Sequence, residues 1–199
     1  MAITRERFEQ GLTYEQFKEQ MTRNQERFIV NEQNFTPDAA DVDAIKSLPQ
    51  SVNVLVLVED WCGDVIDNLP VLGRLAMTTG KFDIRVFLRD QNLDLMDQYL
   101  KDGQFRSIPV FAFLDDSFNK LGHFIERPES VTSRRAQQRA ELYTQHPEFG
   151  SPETPITQLP EDVRVKLMEA QAPLREATKA QDNQDVVRAI REIVTPVRA

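Results

Sequence analysis

Apolar residues change their spacing several times along this chain, and each change marks an element. Within the first fifty residues the signals are helical. Thr13-Tyr14-Glu15-Gln16 has the form of a capping box, a hydroxyl followed three residues later by an amide, and Phe17, Met21 and Phe28 supply an apolar stripe behind it. Thr36-Pro37 predicts a second helix start, with Thr36 as cap and Pro37 at the first helical position; Ala40, Ile45 and Leu48 follow before Pro49. The period then shortens. Val52-Asn53-Val54-Leu55-Val56-Leu57-Val58 is a nearly continuous β-branched and aliphatic run, the pattern of a strand buried on both faces. From Val65 the spacing is helical again through Ile66, Leu69, Leu72 and Ala76. A second strand is predicted over 82–88, a short helix over 93–101 that Asp102-Gly103 stops, and a third strand from Pro109 over 110–114. Asp115-Asp116-Ser117 turns the chain into a hairpin partner over 120–125.

Residues 129–145 read as a closing helix, 146–160 as a linker with four prolines and a glycine, and 161–170 and 173–194 as two further helices. The order strand, helix, strand, helix, strand, strand, helix predicts a βαβ unit followed by an antiparallel hairpin: an α/β fold with a mixed central sheet covered by helices. Three stretches follow: an N-terminal helical extension over 1–50, the sheet-bearing domain over 51–145, and a linker with C-terminal helices over 146–199. The apolar positions Val163, Val165, Leu167 and Met168, then Val186, Val187, Ile190, Ile193 and Val194, call for packing against the body or against a second subunit, the latter giving a homodimer.

Charge and cysteine content narrow the chemistry. The net charge of −8 argues against a nucleic-acid partner, which needs basic patches to displace counterions. Residues 1–128 hold 21 acids against 14 bases, so the negative excess lies with the sheet-bearing part. No run of apolar residues is long enough to span a membrane, and the first residues have no apolar signal-peptide core, so a reducing cytoplasm is the expected setting. One cysteine, Cys62, agrees with that, because it has no partner for an internal disulfide. His123 and His146 stand far apart with no second thiol, so no metal is expected, and no cofactor either. Arg134, Arg135 and Arg139 read as the solvated face of a helix.

The position of Cys62 is the sharpest feature. It follows a buried central strand and opens a helix, where backbone N–H groups without intrahelical partners favour thiolate over thiol. Glu59, Asp60, Asp64 and Asp67 surround it in sequence and oppose that effect. The sign of the net shift stays open at this level.

Trp61-Cys62-Gly63-Asp64-Val65 resembles the Trp-Cys-x-x-Cys motif of the thioredoxin superfamily, with Val65 in place of the second cysteine. Pro70, eight residues after Cys62, is similar to the proline in that family's active-site helix; Ile108-Pro109 is similar to its cis-proline at a strand start; Gly122 is similar to a glycine of its last strand. The likeness covers about residues 50–145, and the acidic Glu59-Asp60-Trp61-Cys62 context is similar to small bacterial thioredoxin-like proteins rather than to thioredoxin itself. It implies a thioredoxin-like three-layer fold with extra N-terminal helices and a C-terminal helical extension. It further implies that Cys62 is the nucleophile and that Trp61, Gly63, Asp64, Val65, Ile108 and Pro109 shape a substrate groove, with the amides of Gly63 and Asp64 steadying the thiolate. The departures are equally informative: Val65 is unable to resolve a mixed disulfide, and Val56 stands where thioredoxins carry a buried aspartate. The expected activity is therefore monothiol thiol–disulfide exchange with a protein disulfide or low-molecular-weight thiol, completed by an external thiol. The alternatives are a redox-inactive protein-interaction module and a stress sensor modified at Cys62.

Overall fold

Local capping starts the fold. In the computed structural model, which describes residues 3–195, the Thr4 hydroxyl accepts from the Arg7 amide at 3.2 Å and opens α1 (Arg5–Glu9). A two-residue strand, β1 (Leu12–Thr13), leads into α2 (Tyr14–Gln20), and the predicted capping box is present in both directions: Gln16 N–H to the Thr13 hydroxyl at 3.2 Å, Thr13 N–H to Gln16 Oε1 at 2.9 Å. Next come α3 (Gln25–Asn34) and α4 (Ala39–Lys46). The latter differs from expectation, since Asp38 rather than Thr36 takes the extended N-cap backbone and Pro37 lies ahead of the helix.

The strand β2 (Val52–Val58) then enters the middle of the molecule, followed by α5 (Gly63–Thr79), β3 (Phe82–Leu88), α6 (Leu93–Met96), β4 (Val110–Leu114) and β5 (Lys120–Ile125). The helix expected over 93–101 is one turn only. Positive φ at Asp102 (53°) and Gly103 (68°) makes a tight turn there, and Lys101 pairs with Phe105 across it. After these come α7 (Glu129–Gln145) and a single helix α8 (Glu161–Val194). Two helices were expected in place of α8, but Pro173 sits inside it. A proline removes one backbone N–H without obliging the helix to end.

The five strands are ordered β1-β3-β2-β4-β5. β2 runs parallel to β3 (Val54 opposite Ile84) and antiparallel to β4 (Leu55 opposite Ala112), and β5 extends the sheet as a hairpin with β4 (Ala112 opposite His123). β1 pairs antiparallel with β3. The run Val54 to Val58 is wholly buried, which is why it lacks alternation.

Pro70 illustrates how helix α5 is kept intact. Its missing N–H leaves the carbonyl of Ile66 without its helical donor, and the buried Asn31 of α3 supplies one from its side-chain amide at 2.8 Å. Near the other end of the chain, Gly122 on β5 admits the closing turns of α8, because a Cβ there would lie 2.9 Å from Ile193 Cγ2.

Two compact units make up the chain: one comprises residues up to Pro128 with those from Val186 on, the other is Glu129–Asp185. The first contains the sheet and one large core, to which Val186, Val187, Ile190 and Val194 contribute. The second has a small core of Tyr143, Phe149 and Leu167. Within the second unit, Arg134 on α7 binds both Asp182 and, at 2.6 Å, Asp185 of α8. Both aspartates are buried, and Arg139 bonds the carbonyls of Pro152 and Thr154, so this is not a solvated basic face. Among the described residues no helix is long and apolar enough to cross a membrane.

Candidate active site

The site grows from the carboxyl end of β2. The chain turns through Glu59 and Asp60, with Cys62 N–H bonded to the Glu59 carbonyl at 3.2 Å, and Cys62 becomes the N-cap of α5 with extended backbone (φ −82°, ψ 121°). Its carbonyl accepts the first helical bond, from Ile66 N–H at 3.1 Å. The thiol makes no capping bond with its own helix; it donates across to the carbonyl of Ile108 at 3.5 Å. The Ile108-Pro109 peptide is cis. The structure therefore brings together Cys62 and Ile108-Pro109, although Cys62 and Ile108 stand 46 residues apart in the chain.

The other residues singled out by sequence have more varied settings. Trp61 is 45% exposed, and the Arg89 guanidinium lies 5.1 Å from its ring centroid. Gly63 is part-exposed with nothing within 4 Å of where a Cβ would stand. Asp64 is ion-paired to Arg127 at 2.5 Å. Val65 is fully buried in the main core, so its side chain does not line a groove. Ile108 and Pro109 are also buried. His123 lies against the ring of Tyr99, and His146 pairs with Glu148.

A family model described as Thioredoxin matches residues 11–139. The chain belongs to the thioredoxin family. That match begins well before residue 50, so β1, α2, α3 and α4 lie inside the family's extent. Among solved structures the chain is similar to a protein of unknown function from Pseudomonas aeruginosa, with 20% identity, full coverage of both chains and a TM-score of 0.69. It is also similar to an HIV epitope-scaffold, at 16% identity, 96% coverage of each chain and a TM-score of 0.64. These likenesses are of fold. No curated protein matches the sequence.

On this thioredoxin fold the electrostatics around Cys62 run in both directions. Burial is the largest influence and pushes the thiol up from its ordinary value. The carboxylates of Asp64 and Glu126 push the same way, while the backbone N–H groups of Val65 and Asp64 pull it down. The net direction is up. The amides that favour the thiolate are thus those of Asp64 and Val65, the second and third of the helix, rather than the expected Gly63 and Asp64.

The four acids near Cys62 in sequence are each engaged by a partner. Glu59 accepts from the Asp90 N–H at 2.9 Å. Asp60 accepts from the amides of Thr22 (2.8 Å) and Arg23 (3.0 Å) and from the Thr22 hydroxyl (3.1 Å). Burial alone pushes the Asp60 carboxyl up, but these hydrogen bonds outweigh it and hold it below its ordinary value. Asp67 pairs with Arg27 at 2.6 Å. Sequence reading missed Lys101, Glu126 and Arg127, which reach the site only through tertiary contacts; Glu126-Arg127 directly after a predicted strand gave no local signal.

Proposed function

We propose that this protein performs monothiol thiol–disulfide exchange at Cys62. The observation that carries the reading is the thiol of Cys62 at the head of α5, 3.5 Å from the carbonyl that precedes Pro109. In the exchange, the Cys62 thiolate attacks one sulfur of a disulfide, forming a mixed disulfide and expelling the other sulfur as thiolate. An external thiolate then attacks the substrate sulfur of that mixed disulfide, restoring Cys62 and leaving the oxidising equivalent on the new disulfide pair. With Val65 in place of a second cysteine, the resolving thiol comes from solution or a partner protein, and the bacterial cytoplasm is the setting that supplies it. A homodimer is not required. The exposed Trp61, next to Cys62 in the chain, is the side chain a substrate meets, while the buried Ile108 and Pro109 contribute through the Ile108 carbonyl that faces the sulfur.

A second reading has its own support. A thiol held above its ordinary value is mostly protonated at neutral pH, which favours a redox-inactive thioredoxin-fold interaction module. Incubating the reduced protein with oxidised glutathione and measuring the intact mass separates the two. Exchange predicts one glutathionyl adduct, absent in Cys62→Ser, released by dithiothreitol, and forming faster as pH rises. An adduct that appears only on unfolded protein sinks the exchange reading in favour of the binding module.

A further inference from the structure

Behind Cys62 two acid–base pairs stand on one short segment. Glu126 follows β5 in a left-handed conformation (φ 63°). Its N–H donates to the Pro109 carbonyl at 2.7 Å, and its own carbonyl accepts from the Asn68 side chain of α5 at 2.8 Å. Glu126 and its neighbour Arg127 send their side chains in different directions: Glu126 to Lys101 at 2.6 Å, Arg127 to Asp64 at 2.5 Å. Both side chains of the Asp64–Arg127 pair are about four-fifths buried, so water screens their field less than it would a surface pair. The pair therefore fixes a negative and a positive charge in the first turn of the helix that Cys62 caps.

We propose that Arg127 is a positioning residue for Cys62: by pairing with Asp64 it offsets a carboxylate that would otherwise oppose thiolate formation at the head of α5. The proposal rests on the exchange reading for its functional meaning, but its physical content is the reactivity of one sulfur. The charged groups on the elements around that sulfur are Asp64 and Asp67 on α5, the latter paired to Arg27 of α3, Glu126 with its partner Lys101, and Arg127 itself. Glu59 and Asp60 on the preceding loop are bonded to the amides of Asp90, Thr22 and Arg23, and Arg89 lies over Trp61. An ion pair of this kind makes its two members act in opposite directions. Removing the carboxylate lets the amides at the helix start act with less opposition; removing the guanidinium exposes the carboxylate.

The test is the pH profile of Cys62 alkylation by iodoacetamide, followed by mass on the native protein. Arg127→Gln is expected to move the midpoint up by about half a unit and slow the neutral-pH rate about three-fold. Asp64→Asn is expected to move it down by a similar amount, and the double variant to return close to the parent. Arg127→Lys keeps the charge and is expected to keep the parent profile; with the double variant it holds the test open should Arg127→Gln fold poorly. An unmoved midpoint in Arg127→Gln, or shifts of the same sign in the two single variants, overturns the proposal. Alkylation needs no disulfide substrate: opposite shifts without a glutathionyl adduct would uphold the counter-charge and remove the exchange reading, and an adduct with unmoved midpoints would do the reverse.

Discussion

Asp60 and Asp64 stand two residues before and two residues after Cys62, and in sequence they are equivalent. In the folded chain they do different work. Asp60 turns toward the N-terminal segment and ties the amides of Thr22 and Arg23 to the loop before Cys62, a link reinforced by the Asn24 side chain on the Asp60 carbonyl at 2.9 Å. Asp64 lies in the first turn of α5, is paired to Arg127, and weighs on the sulfur. One carboxylate ties the loop to the N-terminal segment and the other adds to burial in opposing the Cys62 thiolate. The difference teaches that the count of acids near a nucleophile says little until each acid's partner is known.

Separating these roles begins with a control that destabilises α5 without altering charge. Asn31→Ala removes the donor that the Ile66 carbonyl needs beneath Pro70. A buried carbonyl left without a partner costs about 2 kcal/mol, read as a lowered denaturant midpoint. The Cys62 alkylation profile is expected to stay where it is. Should that profile shift as far as it does in Asp64→Asn, loosening of the helix and not charge governs the thiol. Asp60→Ala comes next, at about 1 kcal/mol, because the hydrogen bonds it loses are exposed and water takes their place. It is expected to lower stability while moving the thiol less than Asp64→Asn does. The reverse ranking would erase the distinction between the two aspartates.

The parts of this molecule legible in sequence are those whose causes are local. The strand over 52–58 is a continuous aliphatic run because both its faces are covered, and the strands over 82–88 and 120–125 fall where the period and the turn residues put them. The capping box at Thr13 needs only residues three apart. What was not legible depends on distant partners. β1 is two residues long and exists because Gly11 allows the chain close to Phe87, whose ring would lie 2.7 Å from a Cβ there. Arg134 reads as solvated until Asp182 and Asp185, some fifty residues on, are folded onto it. The same holds at the site. Cys62 and Pro109 carry recognisable motifs, whereas Arg127 and Lys101 matter only through the carboxylates they meet.

Acid titration sharpens the comparison further. The Asp60 carboxyl is depressed in the folded chain, so its stabilising contribution is present above the ordinary carboxylate value and is lost as pH falls through the lower, folded value. Denaturant midpoints taken from about pH 5 to about pH 3 should therefore fall less steeply in Asp60→Asn than in the parent. An identical slope in both proteins would mean that Asp60 does not hold Thr22 and Arg23 in solution.

The smallest effect is expected at Glu59. Its carboxylate also lies near Cys62 in sequence and accepts from the Asp90 amide, a role that a glutamine oxygen fills equally well. Glu59→Gln should thus change stability by less than about 0.5 kcal/mol and leave the alkylation profile close to the parent. Neutralising a nearby acid is the one perturbation that Glu59→Gln and Asp64→Asn share. If both accelerate Cys62 equally at neutral pH, proximity in sequence alone decides the thiol's chemistry, and the pairing of Asp64 with Arg127 loses its special standing.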